Sequence, residues 1–272
     1  MIKELDIIDI RSLNAKILEK YQVDFSEYAL TSYKRRVIYA ANELGVSSFE
    51  NLLLKIEQEP AFYAKFESLL IVPVTEFFRD PSFWRRFIDE IKLKFINDHQ
   101  IKIWVPFCST GEELVSLAIL LKQNGLYEKS KIIATDINQF VLDEVVKNTI
   151  TTKAHELALS NFERVAPGKV LDEYLQKEGE YFIPHPNLFA NVTFQKSSNL
   201  LDDFSTKFDV ILCRNFMIYL NHNAQDKLIS KFSTSLFSGG YLAIGIQETL
   251  TQSKFRNDFK EVSDEESIYK KV

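Results

Sequence analysis

The sequence predicts an α/β fold with a parallel sheet, preceded by a small all-α unit, and three observations predict it. The first 70 residues hold one glycine and one proline and repeat their apolar positions at helical spacing. From residue 101 the rhythm changes to strand, helix, strand, helix, the pattern of parallel strands joined by right-handed crossovers. The 272-residue length accommodates one large domain or a small domain joined to a medium one, and 46% hydrophobic content is globular rather than disordered.

In the helical unit, Leu13, Ile17 and Tyr21 mark a first buried stripe. Leu30, Tyr33, Val37, Ala41 and Leu44 mark a second, which Gly45 stops as a C-cap would. Ser47 and Glu50 have capping-box spacing ahead of Leu52, Leu53 and Ile56, and Pro60 opens the next helix. Lys34, Arg35 and Arg36 form a basic cluster that reads equally as a solvated face or as a docking surface for an acidic partner. Residues 71–79 break the helical pattern. Asp80 then suits an N-cap and Pro81 a first helical turn, with Phe83, Trp84, Phe87, Ile88 and Ile91 as that helix's buried face.

Strands are expected at Ile101–Phe107, Lys131–Asp136, Val192–Gln195, Phe208–Cys213 and Tyr241–Ile246, the last after a Gly239-Gly240 turn. Helices are expected up to Leu121, over Asn138–Lys147 and over Ala224–Leu236. Lys260–Val262 and Ser267–Lys271 read as a closing antiparallel hairpin, and 150–190 as a polar interruption.

Composition excludes several functions. Only 8 glycines are present, under half the usual share of roughly 7%, and neither G-x-G-x-x-G nor a Walker A loop occurs. A net charge of −5 gives no electrostatic case for nucleic-acid binding. Cys108 and Cys213 sit in apolar surroundings and read as core thiols, and the four histidines have no metal-ligand spacing. Acids interrupt the N-terminus where a signal peptide needs an apolar core, and no apolar run nears the roughly 18 residues of a membrane span. The expectation is a soluble, cytoplasmic protein.

Ligands of open parallel sheets bind outside the carboxyl ends of the strands. That rule selects Cys108-Ser-Thr-Gly-Glu-Glu113, Asp136, Ser197-Ser-Asn-Leu200 and Arg214-Asn215. Asp136, ending the second strand, suits ribose hydroxyls; the competing reading is a helix N-cap. Glu112 directly after Gly111 would repel a phosphate and favours a cationic amine. A ribose and an amine without phosphates are what S-adenosylmethionine presents.

Thr75-Glu-Phe-Phe-Arg-Asp80, Cys108–Glu113, Ala134-Thr-Asp-Ile137, Cys213-Arg-Asn-Phe-Met-Ile-Tyr219 and Gly240–Leu250 together resemble the CheR-type chemoreceptor glutamate methyltransferases, over nearly the whole chain. The resemblance implies a helical domain over residues 1–70 and a Rossmann-like S-adenosylmethionine-binding methyltransferase domain over 71–272. It also implies methyl esterification of receptor glutamates. By position, Thr75 and Arg79 would contact the methionine end of the cofactor, Glu112 its amine and Asp136 its ribose. Asn199 and Leu200 would edge the adenine, and Arg214 and Asn215 would close the pocket floor. Arg79 and Tyr219 would serve the reaction, although Arg79 alone reads as a salt-bridge partner and Tyr219 alone as a buried aromatic.

Pro73, Pro106, Phe107, Leu114-Val115 and Ile246-Gln247 depart from the family pattern. They leave room for a different substrate on the same fold, or for a weakly active docking module, and Phe107 is expected to narrow the cleft. The β-subdomain that some members use to grip a receptor tail would fall in 150–190. No strong hairpin signal is visible there, so an irregular insertion without tail tethering is expected.

Overall fold

The computed structural model describes residues 1–70, 75–98, 100–147, 149–197, 204 and 206–272. The first helix, α1 (Ile7–Tyr21), starts at a capping box in which Asp6 and Asp9 each accept the other's backbone N–H at 2.8 Å. Gly45 (φ 69°) ends α2 (Leu30–Glu43) as expected. The cap of α3 (Phe49–Gln58) is Ser48, whose hydroxyl accepts from Asn51 N, rather than Ser47. Starting one residue later lets Phe49 pack against the unit's core. Pro60 opens α4 (Pro60–Leu70), and buried side chains from Ile2 to Leu70 form one apolar cluster.

Asp80 occupies the N-cap position of α5 (Pro81–Phe95) but makes no side-chain cap; its backbone is left-handed, φ 56°. Its carboxylate lies 2.6 Å from Arg214 instead, and a charged partner outcompetes a backbone N–H.

The alternating region then runs β1 (Ile101–Pro106), α6 (Glu112–Gln123), β2 (Ser130–Asp136), α7 (Gln139–Val145), β3 (Ile150–Thr151), α8 (Thr152–Val165), β4 (Leu175–Glu178), β5 (Tyr181–Pro184) and β6 (Val192–Lys196). It continues with β7 (Phe208–Cys213), α9 (His222–Ser235), β8 (Leu236–Ile244), β9 (Phe259–Ser263) and β10 (Ile268–Lys271). Among the described residues, seven strands form one sheet in the order β6-β2-β1-β7-β8-β10-β9. The first five are parallel and the β9–β10 hairpin closes the edge antiparallel. The chain leaves β1 toward β2 on one side and β7 toward β8 on the other, so the switch in strand order lies between β1 and β7.

Two further expectations need correction. Gly239-Gly240 is no turn but lies inside β8, where a Cβ on Gly240 would fall 2.9 Å from Phe237 O and 3.0 Å from Asp209 O. Nor is 150–190 irregular: β3, β5 and β4 form a second, antiparallel sheet, turned at Gly179 (φ 63°) and Glu180. Three of the four β4 side chains are exposed, so that strand lacks the apolar alternation that reveals a buried one. The ground for excluding a tail-tethering role goes with it.

The helical unit is tied to the sheet by its 24–30 segment. Tyr28 bridges Leu220, Ala29 N donates to Tyr219 O at 2.8 Å, and Asn221 N donates to Glu27 O at 2.9 Å. Lys227 and Glu27 add an ion pair. Among the described residues no helix is long and apolar enough to cross a membrane.

Candidate functional site

At the switch point a cleft opens outside the carboxyl ends of β1, β2 and β7. Thr75, Arg79, Asp136, Arg214, Asn215 and Tyr219 all line it, so the fold gathers residues separated by up to 144 positions. Asn199, Leu200 and Pro73 lie outside the described residues.

Asp136 is 2% exposed. Ser109 N donates to its Oδ2 at 3.1 Å and Asn138 N to its Oδ1 at 3.0 Å. Burial pushes its carboxyl up, and these amide bonds pull it back. It does not cap α7, because Asn138 does so by accepting from Phe140 N at 2.9 Å. Asp136 and Ser109 also line an adjoining groove with Thr110, Phe140, Val141 and Lys147, so the carboxylate stands where two spaces meet.

Glu112 begins α6 and accepts from the hydroxyls of Thr75 and Thr110, which lie 2.9 Å apart. The acid that lines the cleft itself is its neighbour, Glu113. Burial raises the Glu113 carboxyl to about 7 against the opposing pull of Arg214. Gly111 (φ 92°) is required for packing within the protein: a Cβ there would lie 2.6 Å from Val145 Cγ1.

Arg214 has a side chain only 1% exposed. Its Nη2 lies 2.6 Å from Asp80 Oδ2, and its Nη1 donates to Glu113 Oε1 at 3.2 Å and to Arg79 O at 3.3 Å. The guanidinium also lies 3.9 Å from the Phe83 ring centroid. Most of its donors therefore hold the 79–80 turn and α6, beneath an Arg79 side chain that lines the cleft. Asn215 is left-handed (φ 58°) and its N–H donates to Glu248. Phe107 lines the cleft as anticipated and stacks on Phe216, with centroids 3.6 Å apart. Phe78, Asp80, Phe107, Ser109 and Asn215 all have positive φ, which concentrates non-glycine backbone strain around this cleft.

Tyr219 is half-buried; burial raises its hydroxyl, opposed by Arg79 and Arg36. Of the basic cluster, Lys34 lies 3.7 Å from Glu4, Arg36 donates to Leu69 O and covers the Tyr39 ring, and Arg35 is exposed.

Two residues escaped the sequence reading. Glu248, 6% exposed, accepts from Asn215 N (3.0 Å), Ile218 N (3.2 Å) and Gly245 N (2.6 Å), fastening the Arg214–Tyr219 loop to the end of β8. The nearby Gly245 was a usable signal, since a Cβ there would lie 2.8 Å from Asn215 N. Tyr28, from the helical unit, lines the cleft through a long-range pairing that no local pattern announces.

The donor set suits a ribose-bearing cofactor without phosphates. A buried carboxylate stands at the junction of two grooves, an arginine and an acid line the cleft, and aromatic walls flank them. With the strand order, this defines an S-adenosylmethionine-dependent methyltransferase. Residues 73–268 match the family model described as CheR methyltransferase, SAM binding domain, and the chain belongs to that family. A Pseudomonas putida KT2440 protein named "Putative methyltransferase Cher3" is 31% identical over 264 residues, 97% of each chain. A Listeria monocytogenes chemotaxis protein methyltransferase is 26% identical, covering 84% of this chain and 85% of its own. One from Borreliella burgdorferi is 31% identical, covering 66% of this chain and 65% of its own.

Proposed function

We propose that this chain transfers the methyl group of S-adenosylmethionine to glutamate side chains in the cytoplasmic region of a chemoreceptor, forming methyl esters. The observation that carries this reading is one cleft lined by Asp136 together with Arg79 and Tyr219. Bound S-adenosylmethionine supplies an electrophilic methyl group on a sulfonium. Asp136 is assigned to the ribose hydroxyls, Thr75 and Arg79 to the methionine carboxylate, and Glu112 to the amine. Arg214 and Asn215 form the floor, with Arg214 acting through Asp80 and Glu113.

A glutamate titrates near ~4.3, so the acceptor is already ionised at neutral pH and needs no base. The work left to the protein is orientation and exclusion of water. Arg79 and Tyr219 supply donors to an incoming carboxylate, and the aromatic pair Phe107–Phe216 supplies a dry wall. Lys34, Arg35 and Arg36 are assigned to docking of the acidic receptor region.

The test is incubation of the purified chain with methyl-labelled S-adenosylmethionine and cytoplasmic fragments of the receptors of its own cell. Label that base releases as methanol is the expected result. Absence of label from every receptor would overturn the assignment.

A further inference from the structure

Tyr28 reaches the cleft from the helical unit. Its hydroxyl is buried and has no hydrogen-bond partner among the described residues, although it lines the methyl-transfer cleft. A buried O–H without an acceptor is costly, and such groups are rare in native proteins unless a ligand completes them. Burial raises the hydroxyl well above its ordinary value, so it stays protonated, and a donor, throughout the physiological range.

Its position relative to the two ends of the cleft is informative. Asp136 and Ser109 are shared between the cleft and the groove that runs along α7. Tyr28, Phe216 and Tyr219 are shared between the cleft and a different, smaller cavity against the helical unit, lined also by Tyr33 and Leu70. The backbone fixes this placement, because Tyr28 bridges Leu220 and Ala29 N donates to Tyr219 O at 2.8 Å.

We propose that the Tyr28 hydroxyl is a catalytic donor to the acceptor carboxylate, so that the helical unit contributes a reacting-site group as well as a docking surface. The inference rests on the glutamate-methylating reading above. A carboxylate offers only acceptors, and Tyr28 shares the smaller cavity with Tyr219 and not with Asp136, whose charge adds to the rise of the Tyr28 hydroxyl. The donor holds the nucleophilic carboxylate in line with the methyl group and does not itself gain or lose a proton.

The test compares full-length wild type, Tyr28→Phe and Tyr33→Phe. Tyr33 also has a buried hydroxyl without a partner among the described residues, but it lines the smaller cavity and not the cleft. Tyr28→Phe should lower kcat/KM for a receptor fragment about tenfold. Its affinity for S-adenosylhomocysteine by calorimetry should stay within about twofold of wild type, and its Tm should not fall, since an orphaned hydroxyl is removed. Tyr33→Phe should methylate as wild type does. Unchanged methylation in Tyr28→Phe, a parallel loss of S-adenosylhomocysteine affinity, or an equal loss in Tyr33→Phe would each overturn the proposal. A wild type that binds S-adenosylhomocysteine but methylates no receptor fragment would instead overturn the underlying reading, and this proposal with it.

Discussion

At the carboxyl ends of β1 and β2, backbone amides of Ser109 and Asn138 converge on Asp136 and leave it at the meeting point of two grooves. At the ends of β7 and β8 the buried charges are instead taken up by the protein itself. There Glu248 gathers three backbone amides, and Arg214 spends its guanidinium on Asp80, Glu113 and the Arg79 carbonyl. One half of the site is backbone holding a charge ready for a ligand; the other is charge holding backbone in a strained shape. Motif residues of the same cleft can thus serve different ends. Replacing a presented charge should cost affinity, and replacing a holding charge should cost stability first.

Removing Arg214 gives the largest effect expected from this contrast. Arg214→Ala leaves two partly buried carboxylates facing each other without their cation and should cost about 3–5 kcal/mol. In a chain of this size that is a Tm drop of roughly 6–15 °C, readable by calorimetric unfolding. A drop under about 2 °C would show that Arg214 holds nothing. Asp136→Ala should behave oppositely, weakening S-adenosylhomocysteine binding roughly 10- to 100-fold as hydrogen bonds to a charged group are lost. Unchanged affinity would remove Asp136 from the cofactor site.

The smallest effect is a pH dependence. Glu113 has its carboxyl raised to about 7 by burial, above the value of 4.5 expected when it is exposed. An acid raised in the folded state favours folding in its protonated form. Its contribution is fully present below about pH 4.5 and is lost as pH rises through about 7. Glu113→Gln should therefore flatten the fall in Tm between pH 5 and about 8 relative to wild type. A steeper fall in the variant would contradict the assigned direction.

Much of this was legible in the chain. The alternation after residue 101, the acid ending β2 and the hairpin at the C-terminus follow from apolar period, strand length and residue chemistry, all local properties. Asp80, the Gly-Gly pair and the second sheet were misread for related reasons. Asp80 looked like a cap because its partner, Arg214, lies 134 positions away. Gly239-Gly240 looked like a turn because a close backbone approach inside a sheet leaves the same residue signature. The exposed β4 strand carried no apolar rhythm to detect. Tyr28 was hidden for the same cause as Asp80, since it acquires its role through a partner that only the fold brings near, whereas Glu248 had a local signal in Gly245.

Mass-spectrometric mapping of a receptor cytoplasmic fragment after reaction with S-adenosylmethionine identifies the acceptor atom. A glutamate acceptor gives a single-methyl mass increase on glutamate side chains that disappears after mild base treatment. Methylation that survives base, or that maps to a nitrogen-bearing side chain, would contradict it.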